Sequence, residues 1–407
     1  MIFSTIYAQL FWWYDGQPYM VSAGTARRRW TVISDQYSTL VTDHCPLITG
    51  ISFIHLVVLL FFQQIQLVKQ MFLRPHGGET MEYRPFGRTG LQVSAIGFGC
   101  WELGGQYGHY DEGDVIAAVH RALDLGINCY DTAEGYGFGR SEALLAKALG
   151  ARRKEVILVT KFGIYQNNDG WSRDSSPAQA LAAIERSLHY LQTDYIDVYL
   201  IHWPDRQTPY EETMQVLEQI VQAGKARFVG VSNFRGDEIE RCMQARRVDV
   251  GQYGYHLFDR RMAREVFPTC QQHGIGMMAY GSLAHGLLTG AFTPQTTFEE
   301  SDWRSRGRAF GLELFTPENF PKNLAVVEEL KQVAARHGKK VGDLALRWVL
   351  SNPVVSVGLV GFRRPSEVEA SLGALDWSLS PEDHAAIQSA FQTHGVDPAP
   401  PIWLENQ

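Results

Sequence analysis

From residue 81 onward, short apolar runs alternate with amphipathic segments. Eight runs have the length and β-branched content of strands: 95–98, 128–130, 156–160, 196–201, 228–231, 248–252, 275–279 and 354–360. The segments between them carry helix start signals. Ser176-Pro177-Ala178-Gln179 reads as a capping box with proline at the first helical position, and Leu181, Ile184, Leu188 and Leu191 follow on one face. Thr208-Pro209-Tyr210-Glu211 opens the next helix in the same way, and Gly224 closes it. Ahead of the first run, 82–86 and 91–94 predict a small hairpin turning at Thr89-Gly90.

Eight strands alternating with helices predict an α/β protein of the (β/α)8 TIM-barrel class, with a short N-terminal hairpin. A doubly wound sheet is the competing fold. It requires G-x-G-x-x-G after the first strand, but the turn reads Gly97-Phe-Gly99-Cys-Trp-Glu102, where a glutamate would block close helix–strand approach.

The first 80 residues break the pattern. They hold nine charged side chains, and none between His44 and Val68. Residues 46–62 (PLITGISFIHLVVLLFF) are mostly apolar and sit at the lower limit of a membrane span, roughly 17–25 residues. The run starts too late, and without a basic region before it, to be a secretory signal. It reads as a membrane-associated helix, as a regulatory or oligomerisation arm, or as an upstream extension of the reading frame with Met81 or Met71 the working start. The last is preferred. The expected organisation is therefore an atypical apolar N-terminal extension, 1–80, and a barrel, 81–407.

Composition narrows the function. The 407 residues are 45% hydrophobic and 20% charged, which excludes disorder and collagen. The net charge of -7 disfavours a nucleic-acid partner. Cys45, Cys100, Cys129, Cys242 and Cys270 lie far apart with no CxxC, which suits a reducing, cytoplasmic setting and predicts no metal site. Membrane association through 46–62 is the alternative location. HExxH and GxSxG are both absent, so metal-hydrolase and serine-hydrolase chemistries have little support.

In a (β/α)8 barrel the reactive face lies at the C-terminal ends of the strands. The second strand ends at Tyr130-Asp131, with Tyr136 in its loop. The third ends at Thr160-Lys161 and the fourth at Ile201-His202-Trp203. A lysine cation beside a phenol lowers the phenol pKa and makes a better acid near neutrality. Asp131 can hold the Lys161 ammonium, and His202 can donate to a carbonyl oxygen as charge develops. Singly, each has an ordinary reading: a strand-end cap, a solvated lysine, a satisfied histidine, a packed tyrosine. Together at neighbouring strand ends, they suit protonating an alkoxide while another group delivers hydride.

These residues lie in longer stretches: FGRTGLQVSAIGFG (86–99), DTAEGYGFGRSE (131–142), VTKFG (159–163), DYIDVYLIHWPD (194–205), GKARFVGVSNF (224–234) and AYGSLAHGLLTG (279–290). In their order and spacing, residues 81 to about 391 resemble the aldo-keto reductase family. The resemblance implies a catalytic tetrad of Asp131, Tyr136, Lys161 and His202, and a nicotinamide dinucleotide lying across the barrel mouth. It implies that Ser232, Asn233 and Gln252 hold the carboxamide and that Tyr280 stacks on the nicotinamide ring. Gly281, Ser282 and Leu283 would line the pyrophosphate, where the family commonly has SPL after the tyrosine. Gly361, Arg363, Arg364, Glu367 and Ser371 would form the phosphate and adenosine end.

The Arg363-Arg364 pair suits a 2′-phosphate, so NADP(H) is preferred over NAD(H). Ala370-Ser371 stands where the family often has Glu-Asn, a departure that touches the adenine end. The substrate pocket is expected from Trp101, Trp203 and a long loop after the third strand, 162–176, with Tyr165 and Trp171, and a second long loop over 293–320 carries Trp303, Arg304 and Arg306. The expected function is reduction of a small-molecule aldehyde or ketone, or the reverse oxidation. The alternative is a cofactor-binding, weakly catalytic regulatory subunit of a membrane protein.

Overall fold

The computed structural model describes residues 81–400, apart from positions 106, 168, 169, 301 and 309, and two strands of the leader. In the leader, Leu10–Tyr14 pairs antiparallel with Gln17–Val21. Asp15-Gly16 lies between them in the sequence, a dipeptide that favours tight hairpins. The apolar run 46–62 lies outside the described residues. Among the described residues no helix is long and apolar enough to cross a membrane. The chain divides into two units, Met1–Pro75 and His76–Gln407.

The second unit is a closed barrel of eight parallel strands. In chain order these are β1 (Ile96–Gly99), β2 (Cys129–Asp131), β3 (Ile157–Phe162), β4 (Ile196–Ile201), β5 (Ala226–Ser232), β6 (Val250–Gly254), β7 (Gly276–Tyr280) and β8 (Val355–Gly361). β8 pairs with β1 through Gly358↔Ile96, which shuts the ring. The expected strands match within two residues at either end, because fully buried strands are short apolar runs with turn residues on either side.

Side-chain parity sorts these residues into two cores. Cys129, Ile157, Val159, Val198, Leu200, Val250, Met278, Val357 and Leu359 fill the barrel interior. Their neighbours of opposite parity, such as Tyr130, Leu158, Phe162 and Tyr199, pack outward against the helices. Phe86 and Val93 of the N-terminal hairpin (Tyr83–Pro85 with Gln92–Ser94) join the interior cluster and stopper its N-terminal end.

The helix starts differ in detail from expectation. Ser176 caps Pro177–Tyr190 by accepting from the Gln179 amide at 3.4 Å. Thr208 does not cap Tyr210–Gln222. Its hydroxyl donates to Asp205 Oδ2 at 2.7 Å instead, and Pro209 takes the cap position. Gly224, at φ +75°, ends that helix, with the Lys225 amide closing back on the Ile220 carbonyl.

Candidate active site

The interior parity continues upward on every strand. The next inward position after the apolar layer is Gly99, Asp131, Lys161, His202, Ser232, Gln252, Tyr280 and Gly361 on β1 to β8. A cavity of about 720 Å³ opens there, and all of these residues except the fully buried Lys161 line it. Position along each strand thus decides whether an inward side chain is core or site.

Lys161 ties the polar residues of the rim together. Its ammonium donates to Asp131 Oδ2 at 2.8 Å, to the Thr132 carbonyl at 2.9 Å and to the Tyr136 hydroxyl at 3.1 Å. All three of its protons are used. Gln252 Nε2 reaches across the barrel to the other oxygen of Asp131 at 2.7 Å. The His202 ring packs edge-on to Tyr136, with centroids 5.4 Å apart, and its Nδ1 is buried with no hydrogen-bond partner.

Burial sets the protonation states. It pushes the Tyr136 phenol well above its ordinary value, and the Asp131 carboxylate adds to this. Lysine alone was expected to lower that value. The Lys161 charge is instead spent on Asp131, in a site that excludes the water a phenolate would need. Burial also works against charge on both ion-pair partners, raising Asp131 and lowering Lys161, while their mutual attraction opposes it. His202 is held well below its ordinary value by burial and by the Lys161 and Arg173 cations, so it is neutral. The site therefore presents a protonated phenol and a neutral imidazole side by side.

Beside them, the ends of β5 and β6 present hydroxyl and amide groups. Asn233, at φ +65°, donates to the His202 carbonyl at 3.1 Å and to Ser232 Oγ at 3.0 Å, and accepts from the Tyr280 hydroxyl at 2.9 Å. Gly281, Ser282 and Leu283 continue the wall. At the far end, Gly361, Arg363, Arg364, Glu367 and Ser371 line the same cavity. Glu367 accepts from the Arg363 amide at 2.7 Å and pairs with Arg364 at 3.3 Å.

Of the expected pocket aromatics, Trp101, Trp203 and Trp171 line the cavity, but Tyr165 does not. The stretch expected as a loop after β3 contains a two-stranded hairpin, Ile164–Asn167 with Gly170–Arg173. Its register sets Ile164 opposite Arg173 and Tyr165 opposite Ser172. The alternation turns Ile164, Trp171 and Arg173 toward the mouth and Tyr165 to the other face. There Tyr165 lines a separate pocket of about 460 Å³ with Glu134, Arg186 and Tyr190.

Several lining residues escaped the sequence reading, among them Glu102, His285 and Phe310. Glu102 lies against Gly361, where an added Cβ would come within 2.5 Å of its carboxyl, and it pairs with Arg363 at 3.6 Å. His285 (φ +56°) and Phe310 (φ +48°) form an aromatic cluster with Trp101 and Trp303. The segment after β7 is pinned over the mouth by polar contacts: Arg261 donates to the Phe310 carbonyl at 2.9 Å and Arg304 to the His285 carbonyl at 3.2 Å. Only the adjacent Ala-His-Gly and Arg-rich stretches hinted at this.

The barrel carries its polar rim at the C-terminal ends of its strands, and comparison gives the family. The Aldo/keto reductase family model matches residues 95–392, and the chain belongs to that family. It is 38% identical to the aldo-keto reductase YhdN of Bacillus subtilis (strain 168), over 80% of this chain and 98% of that one. It is 32% identical to an NADH-specific methylglyoxal reductase of Escherichia coli (strain K12), over 74% of this chain and 96% of the relative. Among solved structures, the glycerol dehydrogenase of Gluconobacter oxydans superposes with a TM-score of 0.70 at 33% identity, covering 80% of this chain and 98% of that one.

Proposed function

We propose that the barrel mouth reduces a small aldehyde or ketone to an alcohol, or runs the reverse oxidation, with NADP(H) as the preferred cofactor. The observation that carries this reading is the Lys161 ammonium bound to both Asp131 and the Tyr136 hydroxyl beside a neutral His202. Tyr136 holds its proton until an oxygen that is gaining negative charge draws it off, which is general-acid behaviour. Lys161 then stabilises the phenolate left behind, and Asp131 and Gln252 keep Lys161 in place. His202 orients the carbonyl from the cavity wall beside Tyr136.

A nicotinamide dinucleotide supplies the hydride when bound. The donor set suits it: Ser232, Asn233 and Gln252 offer hydroxyl and amide groups for a carboxamide, and the Tyr280 ring offers a flat face. Arg363 and Arg364 offer guanidinium groups for phosphate, with Gly281, Ser282, Leu283, Gly361, Glu367 and Ser371 around them. Arg364 is largely exposed beside Glu367, which leaves it able to turn toward a 2′-phosphate, and this supports NADP(H). The described cysteines, Cys100, Cys129, Cys242 and Cys270, are free and buried, which supports a reducing, cytoplasmic setting. Trp101 and Trp203 would flank the carbonyl's substituents.

The test is Tyr136→Phe. Carbonyl-dependent NADPH oxidation should be lost while NADPH binding, followed by fluorescence, persists. Unchanged turnover in that variant would refute the mechanism.

A further inference from the structure

The mouth has a second aromatic station outside the tetrad. Near Tyr136 and His202 the walls are Trp101, Trp203 and Phe310, with Trp203 and Phe310 stacked at 6.4 Å. Farther out, Trp171 is 56% exposed and Phe138 is 42% exposed, and the two rings stack on each other at 5.4 Å with 25° between their planes. Stacked on each other, they make one contiguous apolar patch rather than two scattered side chains.

Local structure holds both rings in place. Phe138 has a left-handed backbone at φ +52°, an unfavourable conformation for a bulky residue. It lies between Gly137 and Gly139, both at positive φ, and a Cβ on Gly139 would strike the Tyr190 ring at 2.4 Å. The turn is therefore built around projecting Phe138. Trp171 sits on the hairpin after β3, which is anchored by the Asp174 amide donating to the Gly163 carbonyl at 3.1 Å and the Ser175 amide donating to Asp205 Oδ2 at 3.0 Å. On its mouth-facing side, Arg173 lies over the Trp203 ring at 4.8 Å. Trp171 is thus joined to the inner station by one hairpin face and lines the same cavity as Tyr136 and His202, while Phe138 lines the separate pocket that holds Tyr165 and backs the Trp171 ring from there.

We infer that Trp171, backed by Phe138, forms a distal aryl subsite, and that the preferred substrates are two-ring carbonyl compounds whose second ring lies beyond the group bearing the carbonyl. This rests on the carbonyl-reductase reading above. The reacting end sits at Tyr136 and His202 between Trp101 and Trp203, and the second ring stacks on Trp171. Trp171 is a specificity-determining residue with no part in proton or hydride movement.

The probes are benzaldehyde, 4-phenylbenzaldehyde, 4-(benzyloxy)benzaldehyde and 4-cyclohexylbenzaldehyde, each assayed with NADPH. At least one two-aryl aldehyde should exceed benzaldehyde in kcat/KM by about tenfold, mostly through KM, as ring stacking and burial imply. The cyclohexyl compound should fall between them. Trp171→Ala should bring the two-ring to one-ring ratio close to one, while Trp171→Phe should keep most of it. A ratio taken within each variant cancels changes in folding or cofactor binding. A ratio near one in the unaltered protein, or one that Trp171→Ala leaves unchanged, overturns the subsite alone, provided that benzaldehyde turnover depends on Tyr136. No turnover of any probe overturns the carbonyl reading and the subsite together.

Discussion

At the N-terminal end of the barrel the inward positions are filled by Phe86, Val93, Ile157 and Val357, packed against one another. At the C-terminal end the same parity carries Asp131, Lys161, His202 and Gln252, bonded to one another or facing a cavity. The two ends share one backbone rule and differ only in side-chain chemistry. Stability can therefore be concentrated at one end and reactivity at the other.

The sharpest way to break this comparison is a reciprocal pair of substitutions. Tyr136→Phe should lower kcat by roughly 10²–10⁴-fold while leaving the denaturation midpoint nearly unchanged. Phe86→Ala should do the reverse, costing about 3–5 kcal/mol of stability while the folded fraction keeps its kcat. Steady-state rates and urea unfolding on both variants check it. A large loss of kcat in folded Phe86→Ala would show that the two ends are coupled.

A third substitution tests the layer behind the interior. Thr160, the outward neighbour of Lys161, donates to the buried Glu142 carboxyl at 2.6 Å, and burial pushes Glu142 up to about 7 from an ordinary 4.5. The folded chain then holds a proton that the unfolded chain has released between those values. Glu142 thus contributes stability that is fully present below about pH 4.5 and lost as pH rises to about 7, roughly 3 kcal/mol in all. Glu142→Gln should flatten that part of the stability–pH curve, measured by urea unfolding from pH 4 to 8. An unchanged slope would place the titration elsewhere.

The smallest expected effect lies at the far end of the cavity. Arg364→Ala should reduce the ratio of kcat/KM for NADPH over NADH by about tenfold, the contribution of one charge-assisted phosphate contact. An unchanged ratio would remove Arg364 from cofactor choice.

The barrel was legible because its strands are apolar runs and its helices carry amphipathic stripes. The polar rim was legible because Asp131, Lys161 and His202 stand at strand ends. Other features depend on what surrounds a residue in space. Tyr165 and Trp171 were grouped together because a hairpin reversing between Asn167 and Gly170 was read as loop, which hides the alternation that separates them. The raised phenol of Tyr136 follows from exclusion of water by elements distant in sequence. Phe138 gives no warning of its positive φ beyond the glycines on either side. His285 and Phe310 enter the mouth through a segment whose path is set by Arg261 and Arg304.

The bond from Gln252 to Asp131 joins β6 to β2, which lie opposite each other in the ring, four strands apart either way. Neither half of the barrel contains both partners, and Lys161 depends on the carboxylate they share. A chain folded as far as β5 would hold Tyr136, Lys161 and His202 and still lack the brace that fixes their acid. The brace is therefore made only once β6 stands in the ring, after more than half of the barrel has been laid down.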